Sequence, residues 1–188
     1  MWFFKDKPNS TPSYEEILKK KPSEINYFEL RMAYTKTDYY NPYGSENVIN
    51  ELSNLFDEGK FKEIIQKVPG LIMPNFVNID FHMIVFSAAE QLNDNNLLSF
   101  HGFVANKLID SILDSGNGKT PESAYVVINT SEEYTLLGVL GLKMKAQSLL
   151  KIEEKNYDLL EVIDGEGNEV KIYFNIDLPF KWLDSKMK

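Results

Sequence analysis

The hydrophobic period of this chain changes once, across residues 114–125, "DSGNGKTPESAY". Before that stretch, apolar residues recur at helical spacing. Val48, Ile49, Leu52, Leu55 and Phe56 fall at i, i+1, i+4, i+7 and i+8, and Phe61, Ile64, Ile65 and Val68 repeat the spacing after Gly59. Residues 75–92 are apolar on most sides and too long for an ordinary strand, which predicts a buried helix. Leu97, His101, Val104, Leu108 and Ile112 form one row of the next. After residue 120 the period shortens. Residues 124–128, 143–154, 157–164 and 169–177 read as strands, with "GEGN" as the turn between the last two. Val170, Ile172, Phe174 and Ile176 alternate with Lys171, Tyr173 and Asn175, the pattern of a sheet wet on one face. Helices first and strands afterwards point to an α+β architecture.

Local signals supply the boundaries. Ser13 is placed to cap a helix over residues 14–20. Ser23 is placed to cap a second over residues 24–37, with Ile25, Phe28, Met32 and Thr35 as its apolar stripe and Leu30, Ala33 and Tyr34 widening it. Pro69-Gly70 should stop the helix begun at Phe61. Ser131, with Glu132 and Glu133 in the first turn, suits a helix start inside the strand region. Residues 55–75, "LFDEGKFKEIIQKVPGLIMPN", resemble part of one tetratricopeptide repeat, but Pro74 comes too early and no second copy follows at the repeat spacing. The expected fold is therefore one α+β domain over residues 13–178. Helical hairpins with tetratricopeptide-like packing (13–114) precede a small antiparallel sheet of three to five strands with one further helix (120–178). Residues 1–12 read as a flexible tail, and residues 179–188 as a C-terminal tail that Trp182 is available to dock.

Composition removes several chemistries. There is no cysteine, so disulfides, thiol nucleophiles and thiolate metal sites are absent. The net charge of −8 disfavours nucleic acid and anionic membrane as partners. No apolar run approaches the ~20 residues of a membrane span. Trp2-Phe3-Phe4 is too short for a secretory signal, and its charges follow it. As written the chain reads as soluble and cytoplasmic, although an exported form with its leader removed gives the same sequence.

Gly118-Lys119-Thr120 invites comparison with a phosphate-binding loop. That loop needs a glycine where Leu113 stands, a strand before it and a helix after it, and all three requirements fail. Gly116 and Gly118 read instead as a left-handed helix end that turns the chain into the sheet, with a looser anion nest of backbone N–H groups left open. The two histidines, His82 and His101, lie about one turn out of register across a hairpin centred on Asp94, and no third ligand accompanies them. No metal site and no cofactor are expected. Adjacent carboxylates such as Glu132-Glu133 point apart on a helix, so neither acts alone as a paired acid site. Tyr157-Asp158, entering a strand, is better shaped for a polar cleft. Arg31, the only arginine, stands with Tyr34, Tyr39, Tyr40 and Tyr43 in one short segment. Two readings stay open: a partner or ligand surface, since Tyr and Arg favour interface hot spots, or a buried structural ion pair with tyrosines stapling the loop.

The segments "LRMAYTKTDYYNPYG", "SILDSGNGKTPESAYVVINTSEEY", "QSLL", "NYDLLEVID" and "IYFNID" occur in an order and spacing that resemble the bacterial family of domain of unknown function 4919. The likeness runs from about Tyr27 to Asp177. It implies one folded unit and places weight on Arg31, Tyr34, Tyr43, Gly116, Gly118, Glu132, Glu133, Tyr134, Gln147, Tyr157 and Asp158. It brings no activity with it. The candidate binding residues are thus Arg31, Tyr34, Tyr43, Gly116, Gly118, Glu133, Tyr157 and Asp158. The favoured function is a non-enzymatic binding or interaction module using the Tyr-rich segment and the lobe junction, with another protein or a small anionic ligand as partner. The alternative is an enzyme working on a small anionic substrate by carboxylate acid–base chemistry.

Overall fold

The structure is a computed structural model that describes residues 11–44 and 46–187; the first ten residues of the expected N-terminal tail lie outside it. Helices α1 (Tyr14–Ile17), α2 (Tyr27–Tyr34), α3 (Glu46–Asp57), α4 (Phe61–Asn75), α5 (Ile79–Gln91) and α6 (Asn95–Leu113) precede strand β1 (Tyr125–Val126), helix α7 (Ser131–Val139), strands β2 (Lys143–Ile152), β3 (Lys155–Ile163) and β4 (Glu169–Asn175), and helix α8 (Asp177–Lys186). Helices then sheet is the α+β order read from the sequence. No helix among the described residues is long and apolar enough to cross a membrane.

Five local features differ from the sequence expectations. Ser13 does cap α1, in a reciprocal box with Glu16, but the helix ends at Ile17. Helix α2 is capped by Asn26, not Ser23. Its buried face is Tyr27, Leu30, Arg31 and Ala33, while Phe28 is 40% exposed. The charged Arg31 turns inward because a carboxylate meets it there. Helix α4 runs through Pro69 to Asn75 instead of stopping. An interior proline costs about 3 kcal/mol, but α4 packs against both α3 and α5 and buries Ile64 and Val68 in their shared apolar cluster, which offsets that cost. Residues 177–186 form α8, which packs on β3, where the sequence suggested a tail.

Helices α5 and α6 form the most extensive helix pair. Asn93, at φ 55°, turns the short connection, and Asp94 caps α6. This turn brings His82 and His101 face to face instead of out of register, with Nδ1 to Nδ1 at 2.9 Å. Nε2 of His82 lies 2.9 Å from the Phe76 carbonyl, which only accepts. His82 therefore donates from Nε2, and its Nδ1 accepts the Nδ1–H of His101. Burial, then the neighbouring imidazole, lowers the His82 pKa to about 3; burial lowers that of His101 to about 4. Both stay neutral in the fold.

The sheet has the order β1-β4-β3-β2. Strands β2, β3 and β4 are antiparallel neighbours, but β1 pairs in parallel with β4, so the sheet is mixed and not wholly antiparallel. The long connection through α7 and the β2–β3 hairpin makes that parallel pairing feasible. At the seam, Gly118 has φ +68° and its carbonyl accepts from Tyr173 N–H at 2.8 Å on β4. Gly116 serves closeness instead of left-handedness: a Cβ there would stand 2.4 Å from the Ser123 carbonyl oxygen. One apolar core spans α1, α2, α6, α7 and the sheet, and a second cluster lies among α3, α4 and α5.

The main core closes around Arg31, which is fully buried. Its Nε and Nη2 grip Glu132 at 3.1 and 2.6 Å, Nη2 also donates to the Val126 carbonyl at 2.8 Å, and Nη1 reaches Ser111 Oγ at 3.4 Å. Glu132 Oε2 accepts Ile128 N–H at 2.8 Å, and Asn129 Oδ1 accepts Glu132 N–H at 2.9 Å. One side chain of α2 thus joins α6, β1 and α7. Removing one partner leaves the other charge buried, so Glu132→Gln should cost about 3–5 kcal/mol, and Arg31→Met/Glu132→Leu should recover most of that. Urea unfolding of both variants checks this. Gly118→Ala should cost more than Gly59→Ala, both at positive φ, because only at 118 does the new methyl meet a neighbour, the Tyr125 ring at 2.6 Å. The Gly59 change measures backbone strain alone, on the order of 1 kcal/mol.

Candidate functional site

Glu132 and Glu133 are adjacent on α7 and both are buried, yet their surroundings differ completely. Glu132 meets Arg31. Neither oxygen of Glu133 has a hydrogen-bond partner among the described residues. The group that Glu133 faces is the Asp158 carboxyl of β3, a second acid, and two carboxyls bond to each other only when one of them carries a proton. Burial first, then the charges of Asp158 and Glu132 and the bond to Asp158, pushes the Glu133 pKa up to about 9. Burial also raises Asp158, opposed by hydrogen bonds from Gln147 and Glu133.

Strand geometry explains why Asp158 is there. On β3, Asp158, Leu160 and Val162 alternate with Tyr157 and Leu159, so Asp158 and Tyr157 point to opposite faces. Asp158 lies opposite Leu149 of β2 and beside Gln147, which pairs with Leu160. Gln147 Nε2 donates to Asp158 Oδ2 at 2.7 Å, and Tyr134 O–H donates to Gln147 Oε1 at 3.1 Å. Tyr134 and Gln147 are exposed and roof the acid pair. Tyr43 also feels both carboxylates; its ring is 42% exposed and rests 6.1 Å from that of Trp182 on α8. Met144 and Leu149 of β2, 49% and 60% exposed, continue the surface on the acid pair's face of the sheet.

Of the residues singled out in the sequence, Glu133, Asp158 and Tyr43 converge. Arg31 is engaged by Glu132, so the one guanidinium expected to grip an anion faces no solvent. Tyr34 donates to the Pro74 carbonyl at 2.9 Å and stacks edge-on with Tyr40 at 5.9 Å, stapling the loop onto the helices. Tyr157 is buried on the opposite face of β3, and Gly116 and Gly118 shape the seam. Among the described residues no group of three or more His, Asp or Glu could hold a metal. Cavities of about 430 Å³, beside Tyr27 and Ser111, and about 500 Å³, beside Tyr14 and Lys36, open elsewhere.

The sequence matches the family described as domain of unknown function (DUF4919) over residues 15–187. The chain belongs to that family. No curated protein and no solved structure matches it. The family match spans every strand, the acid pair and its roof, so these features lie in the family's own domain.

The Glu133 carboxyl makes a definite pH signature. Below its ordinary value of 4.5, folded and unfolded chains both hold the proton. Between 4.5 and about 9 the unfolded chain releases it while the fold retains it, so stability falls as pH rises, by up to about 1.4 kcal/mol per pH unit. Glu133→Gln removes this contribution. Urea unfolding at pH 5, 7 and 9 should show the variant gaining on wild type as pH rises; curves that stay parallel reject the assignment.

Proposed function

We propose that the chain is a non-enzymatic interaction module whose docking surface is the seam between α7 and β2. The observation that carries this reading is Glu133, fully buried beneath an exposed roof, with no group but a second carboxyl, Asp158, for its oxygens to meet. A buried polar group left unpaired costs about 1–3 kcal/mol, and more when charged. Groups kept at that cost cluster at functional sites. Around it, Tyr43, Tyr134, Met144 and Leu149 present aromatic and flexible apolar contact area to solvent. Tyrosine and methionine are enriched in protein–protein interfaces, with polar anchors near the centre. The partner is a polypeptide with apolar side chains for the rim and hydrogen-bond donors for the acid pair.

Acid–base catalysis by the same pair on a small substrate is the second reading. The proton that Glu133 retains near neutral pH favours it. Against it, Arg31, the one guanidinium of the chain, is engaged by Glu132.

The test is selection of displayed peptides on the wild-type protein, followed by anisotropy titration of the winners. Binding is expected to weaken at least tenfold, about 1.4 kcal/mol, in Leu149→Glu and Tyr134→Ala, and to be unchanged by Lys62→Ala on α4. Peptides indifferent to the first two changes would place the docking surface elsewhere.

A further inference from the structure

We infer that the Glu133–Asp158 pair receives one primary ammonium group, of the kind a lysine side chain presents. The inference rests on the α7–β2 seam being a docking surface and names the chemistry of what docks there. With both carboxyls ionised, neither Glu133 oxygen has a donor, and Asp158 receives Gln147 Nε2 through Oδ2. Three carboxylate oxygens therefore remain for donors. An ammonium carries three N–H groups and one compact charge, whereas a guanidinium spreads five donors over a rigid plane.

The charge balance agrees. With one shared proton the pair carries a single negative charge, and exchanging that proton for an ammonium leaves the total unchanged. The remaining groups that face Glu133 are Glu132, Tyr43 and Tyr134. Glu132 is neutralised by Arg31, and the two tyrosines are neutral rings suited to a cation's flank. Burial holds both phenols above their ordinary pKa, so neither competes for the cation as a phenolate below pH 10. Leu149, opposite Asp158 on β2, offers apolar surface to the methylene stem of a lysine. Entry requires the roof to move: Tyr134 holds Gln147 by one exposed hydrogen bond, which a rotamer change of Tyr134 releases while Gln147 stays on Asp158.

Because the ammonium displaces a proton, binding is linked to pH. Affinity rises up to about tenfold per pH unit until Glu133 ionises near pH 9. The probe is n-butylammonium, titrated into the full chain while the ¹³C carboxyl resonances of Glu133 and Asp158 are followed at pH 6, 7 and 8. Saturable shifts are expected, with an apparent Kd falling about tenfold per pH unit, and both are lost in Glu133→Gln and in Asp158→Asn. Either variant suffices if the other fails to fold. Carboxyl signals that do not move at pH 8, or that move as much when the partner carboxyl is gone, overturn the inference. A second arm compares lysine peptides flanked by leucine with their norleucine counterparts. If norleucine peptides bind as well while butylammonium does not, the ammonium site falls and the docking surface stands. If butylammonium binds, but flanking leucines add nothing and Leu149→Glu is silent, the ammonium site stands and the docking surface falls.

Discussion

The bidentate pair between Arg31 and Glu132 is the interaction on which the rest of the structure depends. It is buried on both sides, and its further hydrogen bonds reach Ser111 of α6, Val126 of β1 and the Ile128 N–H before α7. Such a pair adds little net stability compared with an apolar replacement, because desolvation offsets most of the Coulomb attraction. What it supplies is position. Apolar packing alone allows α2 to rotate on α6, but the guanidinium fork accepts one rotation, the one that reaches Ser111, Val126 and Glu132 together. Loop contacts reinforce it: Tyr40 O–H donates to the Ile128 carbonyl at 2.7 Å, and Thr135 Oγ1 donates to Asp80 Oδ1 at 3.1 Å, tying α7 to α5.

Fixing Glu132 fixes Glu133. Consecutive helix residues differ by about 100° in direction, so a helix that aims one carboxylate at α2 aims the next towards β3. Asp158 waits there because strand alternation places it on the same face as Leu160 and Val162. The acid pair is thus a by-product of the same geometry that satisfies the ion pair, held beneath an amide and two tyrosines. Identical side chains one residue apart end in opposite electrostatic states, one compensated by a guanidinium and the other keeping a proton. This contrast is the ground on which the α7–β2 seam is proposed as a docking surface.

Much of the fold was legible in the chain. The helical rows of α3, α5 and α6, the alternation along β4 and the turn after α6 all follow from periods of 3.6 and 2 that burial enforces residue by residue. The errors lie where tertiary contacts outweigh local preference. Pro69 sits inside α4 because helices on two sides hold it. The α2 stripe was misassigned because a charged residue faces inward. Gln147 and Tyr134 carried weight only through the family resemblance, since nothing in their own neighbourhoods marks them.

The amino-acid sequence by itself determined the order of helices and strands, the glycine seam between them, and the residue types available for a site. Those properties depend on neighbours a few positions apart, and short-range sterics and burial periodicity express them directly. Only the tertiary structure decided which of the candidates meet. Arg31 and Glu132 are separated by 101 positions, and His82 faces His101 only because of how one turn is wound. Glu133 and Asp158 pair only once α7 lies over the sheet. Contacts of that range depend on how whole elements rotate and slide against one another, and no local pattern encodes that rotation.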